Sequence, residues 1–308
     1  MSDWIGVDIG GTRIKAGLVT SAGRVRKVVV QETRGSVEEI LATVVALVES
    51  LLAQSKAVRG IGIGVPGIVD DRGVVYDPPN LPGWHKVPVR RLLQQHVAVP
   101  VWVENDANAA GIAELLFGVG QQLPSFLYLT WGTGIGGALI LNRSLWKGAG
   151  WAGEVGHIVL NAAVPFQATL GFRTGTLEQW VGRKGIEEIA RYIYYQFHQR
   201  HRSISGQQLA KAARRGEPWA TAALARIAEV MGIGIASLVT VLGVPDVVIG
   251  GGFSHFPDAV FEQIQNVARI RTLPFVGKKL RIHKAVLQDK TGVLGAAALG
   301  MLQQMEVS

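Results

Sequence analysis

The sequence predicts an α/β protein built from two related halves. Short apolar runs, typical of strands, alternate with longer segments whose apolar residues recur at helical spacing, which favours a partly parallel sheet in each half. Near the N-terminus, two apolar runs flank the turn Gly10-Gly11-Thr12, and two others flank Gly132-Thr133-Gly134 about 120 residues later. This repeated order of strand, glycine turn and strand indicates an internal duplication.

Strands are predicted where short apolar runs lie between glycine turns, because glycine tolerates the positive φ that tight turns need. In chain order, the predicted strands span residues 4–9, 14–19, 25–31, 60–65, 101–103, 126–131, 135–141 and 247–249.

Helices are predicted where the apolar period changes to that of a helix. Ser36 is expected to cap the first of them, and Asn105 and Asp106 open the second. The predicted helices span residues 37–54, 107–117, 177–197, 206–214, 218–242, 257–269 and 291–304.

The composition is that of a folded protein. Of the 308 residues, 48% are hydrophobic and 18% charged, which argues against extensive disorder. The chain has no cysteine, which excludes disulfides, thiolate catalysis and cysteine-ligated zinc or iron–sulfur sites. The N-terminus lacks the features of an export signal, and Pro245 ends the longest apolar run before it could span a membrane. We expect a soluble, cytoplasmic protein with no membrane partner.

The chain is basic, with 31 Lys and Arg against 23 Asp and Glu and a formal net charge of +8. The basic residues form small clusters spread along the chain, whereas nucleic-acid binding favours one dense stripe or a known reading motif. A solvated basic surface is therefore the preferred interpretation, with no nucleic-acid partner. An anionic small substrate remains compatible with the charge.

The glycine turns are candidates for phosphate binding. In the first half, backbone amides and the hydroxyl of Thr12 suit phosphate oxygens, and Asp8 suits Mg²⁺ or its waters; an ordinary β-hairpin is the alternative. The turn at Gly132 repeats this device. Gly250-Gly251, after the strand at 247–249, gives a third backbone approach or a flexible loop.

A further glycine pattern misleads. Residues 62–67 match the G-x-G-x-x-G fingerprint of dinucleotide-binding proteins, which must open a helix whose amides bind pyrophosphate. Residues 68–73 show no helical period and end in another turn, so we reject a dinucleotide site here.

The segment Glu104-Asn105-Asp106-Ala107-Asn108 follows one strand and begins a helix. A carboxylate at that junction can take a proton from a substrate hydroxyl, although Asn and Asp are also ordinary helix N-caps. Other polar groups on glycine turns suit a polyhydroxylated molecule: Asn80, near Gly83, and Glu154 with His157, which a turn or helix could place on one face.

Six ordered motifs carry a resemblance to the ROK family of sugar kinases, over residues 8 to about 180 and from Gly250 to the last helix. They are Asp8-Ile-Gly-Gly-Thr12, Gly64-Val-Pro-Gly-Ile-Val-Asp70, Asn80-Leu-Pro-Gly-Trp84, Glu104-Asn-Asp-Ala-Asn-Ala-Ala110, Gly132-Thr-Gly-Ile-Gly-Gly137 and Gly153-Glu-Val-Gly-His157. The resemblance implies a duplicated actin-like ATPase (ribonuclease H-like) fold, with two domains flanking a nucleotide and sugar cleft. The expected domains are 1–117 with 292–308, closed by the C-terminal helix, and 118–291.

The resemblance also implies a role for each motif. Asp106 would be the general base for a hexose hydroxyl. The sugar would be held by Gly67, Asn80, Gly83, Asn105, Asp106, Glu154, His157 and Glu178. ATP would be held, with Mg²⁺ near Asp8, by Asp8, Gly10, Gly11, Thr12, Arg13, Gly132, Thr133, Gly134, Gly250 and Gly251. Phosphoryl transfer depends mainly on positioning and charge neutralisation, which suits this division.

The sequence departs from the family pattern at three places. Where the family's Cys-rich zinc loop is expected, residues 168–178 contain no thiol, so we expect no structural zinc and another support for Glu178, such as packing by Phe172. Arg13 stands where Lys is commoner. Trp131 replaces an aliphatic residue, which we interpret as a change in packing.

The resemblance favours an ATP- and Mg²⁺-dependent kinase of a free hexose, most of all glucose, that forms a homodimer. Mannose, fructose, allose, N-acetylglucosamine and N-acetylmannosamine are alternative acceptors, and inorganic polyphosphate is an alternative donor. A sugar-responsive repressor is the alternative from another class. It is disfavoured because only seven residues precede Asp8 and no DNA-binding module is visible.

Overall fold

The computed structural model describes residues 2–163 and 173–307. Within them, the strands are β1 Asp3–Ile9, β2 Arg13–Thr20, β3 Val25–Glu32, β4 Val58–Val65, β5 Ile68–Val69, β6 Val75–Tyr76, β7 Val101–Asn105, β8 Phe126–Trp131, β9 Ile135–Leu141, β10 Ser144–Leu145, β11 Asp246–Gly250 and β12 Arg281–Lys284. The helices are α1 Val37–Leu52, α2 Val89–Gln94, α3 Asp106–Phe117, α4 Leu177–Val181, α5 Arg183–His198, α6 Gly206–Arg214, α7 Pro218–Leu242, α8 Asp258–Arg271, α9 Pro274–Lys279 and α10 Thr291–Val307.

Two five-stranded sheets have the same strand order, β3-β2-β1-β4-β7 and β10-β9-β8-β11-β12. In the first sheet, β1 pairs antiparallel with β2 and parallel with β4, and β4 pairs parallel with β7. In the second, β8 and β12 both pair parallel with β11. The matching order supports the duplication predicted from the two glycine turns.

The chain divides into two compact units. Unit 1 consists of Met1–Ser125, Ala138–Gly153 and Val286–Ser308, and unit 2 of Phe126–Gly137 and Glu154–Ala285. The predicted domain limits, 1–117 with 292–308 and 118–291, stay a prediction.

In unit 1, side chains of β1 alternate between two faces of the sheet. Ile5, Val7 and Ile9 are buried in the cluster that contains the apolar face of α1. Trp4 and Gly6 lie on the other face, where α10 packs so closely that a Cβ on Gly6 would lie 1.9 Å from the carbonyl oxygen of Val293. Asp8 belongs to this second face, so the alternation directs its carboxylate toward the beginning of α10.

The core of unit 2 surrounds α7, whose buried residues pack with those of β8, β11 and α8. Trp131 at the end of β8 is fully buried, lies 5.6 Å from the Phe253 ring and donates its indole N–H to the carbonyl of Val181 at 2.7 Å. Its interpretation as a packing residue is confirmed.

One apolar helix among the described residues, α7, is long and apolar enough to cross a membrane by length and composition. However, 67% of its most apolar window is buried inside the protein, as expected of a core helix.

The predicted helix over 177–197 is wrong in its continuity. The structure has α4 and α5 instead, separated by Gly182, whose backbone is extended with ψ 174°. A Cβ on Gly182 would lie 2.6 Å from the carbonyl oxygen of Glu178, so this close approach requires glycine. The break places Arg183 at the N-terminus of a new helix.

Candidate functional site

The turn between β1 and β2 exposes Gly11, Thr12 and Arg13. The amide of Gly10 donates to the carbonyl of Arg13 at 3.0 Å, and the Thr33 hydroxyl donates to the carbonyl of Gly10 at 2.6 Å. A Cβ on Gly11 would lie 2.7 Å from Cβ of Asn80. The structure therefore brings the predicted phosphate turn and the predicted sugar residue Asn80 into contact.

Asn80 and Gly83 lie on a surface loop between β6 and α2. Two fully buried side chains, Leu81 and Trp84, anchor this loop in the core of unit 1. Gly83 has φ +83°, which glycine adopts without steric cost, and Asn80 is exposed. The arrangement presents Asn80 to solvent on a firmly held backbone.

The junction between β7 and α3 carries the predicted catalytic residue. The side-chain oxygen Oδ1 of Asn105 accepts from the backbone amides of Ala107 at 2.8 Å and Asn108 at 3.1 Å, so Asn105 is the N-cap of α3. Its Nδ2 donates to the carbonyl of Gly67 at 2.9 Å. Asn105 thus ties the Gly67 turn to the helix start and has one amide N–H left for a ligand.

Asp106 is the first residue of α3. Its Oδ1 accepts from the amide of Ala107 at 2.8 Å, which fixes the carboxylate at the positive end of the helix. The side chain is accessible to solvent, yet burial among the surrounding protein atoms raises its pKa, against the lowering effect of the hydrogen bond from Ala107. A carboxyl with a raised pKa is a stronger base when ionised, which suits proton abstraction.

Asp8 lies close enough to Asp106 for their charges to interact. Burial, and then repulsion from Asp106, raise the pKa of Asp8 to about 6, while Lys15 opposes them. A Cβ on Gly292, in the first turn of α10, would lie 2.3 Å from Oδ2 of Asp8. The carboxylate is therefore held tightly against glycine.

The chemistry of Asp8 fits Mg²⁺ bound together with a nucleotide. Mg²⁺ sites of kinases use one or two carboxylates, completed by phosphate oxygens and water. Asp8 supplies one such carboxylate, and a bound cation would offset the effects of burial and of Asp106 that raise its pKa. Among residues 2–163 and 173–307, no cluster of three or more metal-ligating side chains is present.

In unit 2, Glu178 contacts the second glycine turn. Its Oε2 accepts from the amide of Ile135 at 3.0 Å, and a Cβ on Gly134 would lie 2.2 Å from the same oxygen. The amide of Gly132 donates to the carbonyl of Gly134 at 3.0 Å. Glu178 thus braces the predicted phosphate turn.

Gly251 also reaches this turn. It has φ +86°, and a Cβ there would lie 2.6 Å from the backbone nitrogen and oxygen of Trp131. A Cβ on Gly132 would lie 3.8 Å from the amide nitrogen of Gly252. The structure therefore brings the Gly132 turn and the Gly250-Gly251 segment together.

Glu154 and His157 lie at the two ends of a single 3₁₀ turn, with Oε2 and Nε2 3.6 Å apart. They share one face, as their spacing predicts. A Cβ on Gly156 would lie 2.1 Å from the carbonyl oxygen of Ile135, the residue whose amide donates to Glu178. Ile135 therefore contacts both the turn that carries Glu154 and His157 and the carboxylate of Glu178.

Backbone pairing and a helix cap support the residues directly before Glu178. Thr176 is fully buried, caps α4 by accepting from the amide of Gln179 at 3.3 Å, and pairs with Val159 in an isolated β-bridge. The amide of Leu177 donates to the carbonyl of Ile158 at 2.9 Å. These bonds hold the residues directly before Glu178; Phe172, the expected support, lies outside the described residues.

Sequence reasoning missed one residue in each unit that contacts the predicted site residues of that unit, Arg183 in unit 2 and Gly292 in unit 1. Arg183 donates its amide to the carbonyls of Gly132 and Thr133 at 3.1 and 3.2 Å, and its Nη2 to Oγ1 of Thr133 at 2.5 Å. A glycine followed by two cations inside a predicted helix was the available signal. For Gly292, whose backbone lies against Asp8, the sequence contained no comparable signal.

The ROK family model matches residues 4–302, nearly the whole chain. The chain belongs to the ROK family. It is 31% identical to a glucokinase of Halalkalibacterium halodurans, over 99% of this chain and 97% of that protein. It is 32% identical to a xylose repressor of Caldicellulosiruptor bescii, over 85% of this chain and 68% of that protein.

Among solved structures, the chain is similar to a ROK family glucokinase of Streptomyces griseus in complex with glucose and AMPPNP. The TM-score is 0.80 and the identity 31%, with 97% of this chain and 99% of the other covered. The actin-like ATPase fold implied by the sequence motifs is thereby confirmed for this member of the ROK family.

Proposed function

We propose that this sugar kinase transfers the γ-phosphoryl group of ATP to the primary hydroxyl of a free hexose, with glucose as the preferred acceptor. The observation that carries the proposal is the position of Asp106. Its carboxylate is fixed at the start of α3, beside Asp8 and the amide of Asn105, and burial raises its pKa. This is the arrangement that general-base activation of a hydroxyl requires.

In the proposed mechanism, Asp106 removes the proton of the sugar's primary hydroxyl as its oxygen attacks the γ-phosphorus and the bond to the β-phosphate oxygen breaks. Asn105, Asn80 and the backbone at Gly67 and Gly83 are assigned to orienting the hexose. Glu154, His157 and Glu178 are assigned to hydrogen bonds with its other hydroxyls.

The phosphates of ATP are assigned to the two glycine turns. In the first turn, Gly11, Thr12 and Arg13 are exposed, and the bond from the amide of Gly10 to the carbonyl of Arg13 closes the turn. The turn Gly132–Gly134 is also assigned to the phosphates, and Gly250 and Gly251 to the adenosine side. Mg²⁺ held at Asp8 would neutralise charge that develops on the phosphate oxygens. The residues contribute mainly positioning, which is what this reaction needs.

The relatives support this proposal at the level of the reaction. The Halalkalibacterium protein is a glucokinase, and the Streptomyces griseus structure holds glucose with an ATP analogue. For this chain, the preference for glucose, the Mg²⁺ dependence, the cytoplasmic location and the homodimer are proposals. The buried state of α7 supports a soluble protein.

A coupled assay of ATP consumption across a hexose panel tests the proposal. The panel contains glucose, mannose, fructose, allose, N-acetylglucosamine and N-acetylmannosamine at equal Mg²⁺. We expect the highest kcat/KM with glucose. A higher value for another sugar would reassign the acceptor, and no turnover with any of them would refute the hexokinase proposal.

The xylose repressor among the relatives favours one second candidate, a sugar-responsive DNA-binding protein. Its test is a gel-shift titration against DNA fragments from upstream of sugar-utilisation genes at low and moderate salt. Specific binding that weakens on addition of a sugar would support this candidate, since sequence-independent binding is lost with salt for all fragments alike.

A further inference from the structure

Lys147 lies between two carboxylates of unit 1. Its Nζ is 2.6 Å from Oδ1 of Asp71 and 3.2 Å from Oε2 of Glu104. The Asp71 side chain is 89% exposed, whereas that of Glu104 is only 9% exposed. The pair of Lys147 with Glu104 is therefore an ion pair at a largely buried carboxylate, where removal of one partner leaves an uncompensated charge.

The other oxygen of Glu104 holds the junction that carries the proposed base. Its Oε1 accepts from the amide of Asn105 at 2.8 Å and from Nδ2 of Asn108 at 3.0 Å. Asn108 is buried on the first turn of α3. One carboxylate thus bonds the residue before Asp106 and a side chain two residues after it.

Lys147 also organises the segment that contains it. Its carbonyl accepts from the amides of Gly150 at 2.9 Å and Ala152 at 3.1 Å, which closes the turn that follows β10. Asp71 belongs to the hairpin of β5 and β6, directly after Gly67. Lys147 therefore connects this hairpin, the β10 turn and the β7–α3 junction.

The pKa of Lys147 agrees with a stable contact between its ammonium group and the two carboxylates. Partial burial alone would lower the pKa of Lys147, but the charge of Glu104 and hydrogen bonds to Asp71 and Glu104 outweigh it and raise the pKa. The ammonium group thus stays charged over the neutral range.

We propose that Lys147 and Glu104 are positioning residues that fix Asn105 and Asp106 for phosphoryl transfer. The ion pair orients the Glu104 carboxylate, and that carboxylate fixes the backbone and first turn from which the base projects. This inference rests on the proposed role of Asp106. It assigns to Lys147 and Glu104 an effect on turnover without contact with either substrate.

The first test compares kcat with the KM for ATP in Lys147→Met, Lys147→Arg and Glu104→Gln. We expect kcat to fall about tenfold in Lys147→Met, the scale of a small misplacement of a catalytic group, with the KM for ATP within about twofold. Lys147→Arg should retain most of the turnover, because it keeps the cation. Arg226→Met, which removes an exposed ion pair with Glu229 in unit 2, is the matched control and should behave like the unaltered protein.

A double variant that removes both charges of the ion pair tests the coupling more sharply than either single variant. In Glu104→Gln the new amide can place its N–H donors against the ammonium of Lys147, whereas Glu104→Gln combined with Lys147→Met has no charge at either position. We expect the double variant to turn over faster than the product of the two single effects predicts. Strict additivity would overturn the proposed coupling.

Chemical rescue uses the cavity of about 320 Å³ that Lys147 and Glu104 line. Lys147→Ala opens space beside it, so added butylammonium should restore several-fold activity, whereas the same concentration of sodium should not. Rescue of this kind identifies the missing cation and not a general loss of stability. No rescue, together with unchanged kcat in Lys147→Met, would overturn the proposal.

Hydrogen exchange separates this inference from the proposed function. In Lys147→Met, amides of residues 104–108 should exchange faster while those of α1 remain protected. That result without kinase activity in the unaltered protein would refute the hexokinase proposal and leave the Lys147 contact standing. Kinase activity in the unaltered protein, with amide exchange and kcat both unchanged in Lys147→Met, would refute the inference about Lys147 and leave the hexokinase proposal standing.

Discussion

At the scale of single residues, Asp106 combines two properties that usually exclude each other. Hydrogen bonding at a helix start favours the ionised carboxylate, while burial disfavours it and raises the pKa. The carboxylate is thus fixed in place while its pKa lies above the ordinary value. An N-cap and the proposed general base therefore occupy adjacent positions, Asn105 and Asp106.

Asp106→Asn should lower kcat by at least about 10²-fold, because the amide cannot accept the hydroxyl proton. The amide keeps the size of the side chain and an oxygen that can accept from Ala107, so hexose binding should be largely retained. Steady-state kinetics and calorimetric titration with glucose measure the two quantities. Near-normal turnover in this variant would contradict the role of Asp106.

Asp8 should cost stability at neutral pH. Its pKa is about 6 in the folded chain, against an ordinary value of 3.8, so the folded state binds more protons than the unfolded state between these values. Stability through this group therefore falls as the pH rises from about 4 to above 6. We expect Asp8→Asn to raise the melting temperature at pH 7.5 in magnesium-free buffer, and to do so much less near pH 4.5.

Asp289→Asn is the matched control for that measurement, because it removes one exposed carboxylate near the start of α10. An equal effect of Asp8→Asn at both pH values would show that its charge is not the cause. Asp8→Asn should also lose kinase activity if Asp8 acts near Mg²⁺. Stability and function would then oppose each other at this residue.

At the scale of elements, glycines in adjacent strands let α10 approach the first sheet at backbone distance. A Cβ on Gly62 in β4 would lie 1.7 Å from the carbonyl oxygen of Ala296 in α10. Because the atom it meets is backbone, a side-chain rotation cannot relieve the overlap. The close approach also brings Gly292 against Asp8, so packing of this helix and geometry of the site are linked.

Gly62→Ala should destabilise unit 1 by about 1–3 kcal/mol or more, the usual cost of overpacking a core. Gly64→Ala is the matched control in the same strand, since its nearest neighbour would be an ordinary contact at 3.7 Å. Urea unfolding measures both. Similar midpoints for the two variants would mean that α10 can shift away from β4 without cost.

Most, but not all, of the secondary-structure elements could be predicted from the sequence. The spacing of apolar residues and the glycine turns predicted most of the long helices and strands, and the motif order predicted the fold. The break at Gly182 was missed, because helical spacing continues across it and only the close approach to Glu178 reveals the need for glycine. Short elements such as α2 and β12 contain too few residues for a period to appear.

The residues of the candidate site likewise include some that sequence motifs predict and some that only the structure reveals. Motifs identified Asp8, Asn105 and Asp106 because each lies at a strand end or a helix start. Lys147 and Gly292 contact Glu104 and Asp8, which are distant from them in sequence, and a spacing rule cannot detect such contacts. The support of Glu178 by the bridge between Thr176 and Val159 likewise depends on tertiary pairing.

At the scale of the whole molecule, the arrangement of the basic residues behind the net charge of +8 bears on which phosphoryl donor the protein uses. A long polyanion gains affinity from a continuous basic track, whereas a nucleotide needs only the donors of the glycine turns. In this chain the basic residues are spread along the sequence in small clusters, and several form ion pairs with carboxylates, such as Arg226 with Glu229 and Lys284 with Asp258.

We therefore expect kcat/KM with ATP to exceed that with inorganic polyphosphate at least about tenfold, at equal Mg²⁺ and saturating glucose. Any polyphosphate activity should fall steeply between 50 and 200 mM salt, since screening weakens binding of a long polyanion to a dispersed surface, whereas ATP turnover should change little. Measuring glucose 6-phosphate with each donor avoids dependence on ADP detection. Equal or higher activity with polyphosphate would show that the dispersed basic residues form a continuous donor site.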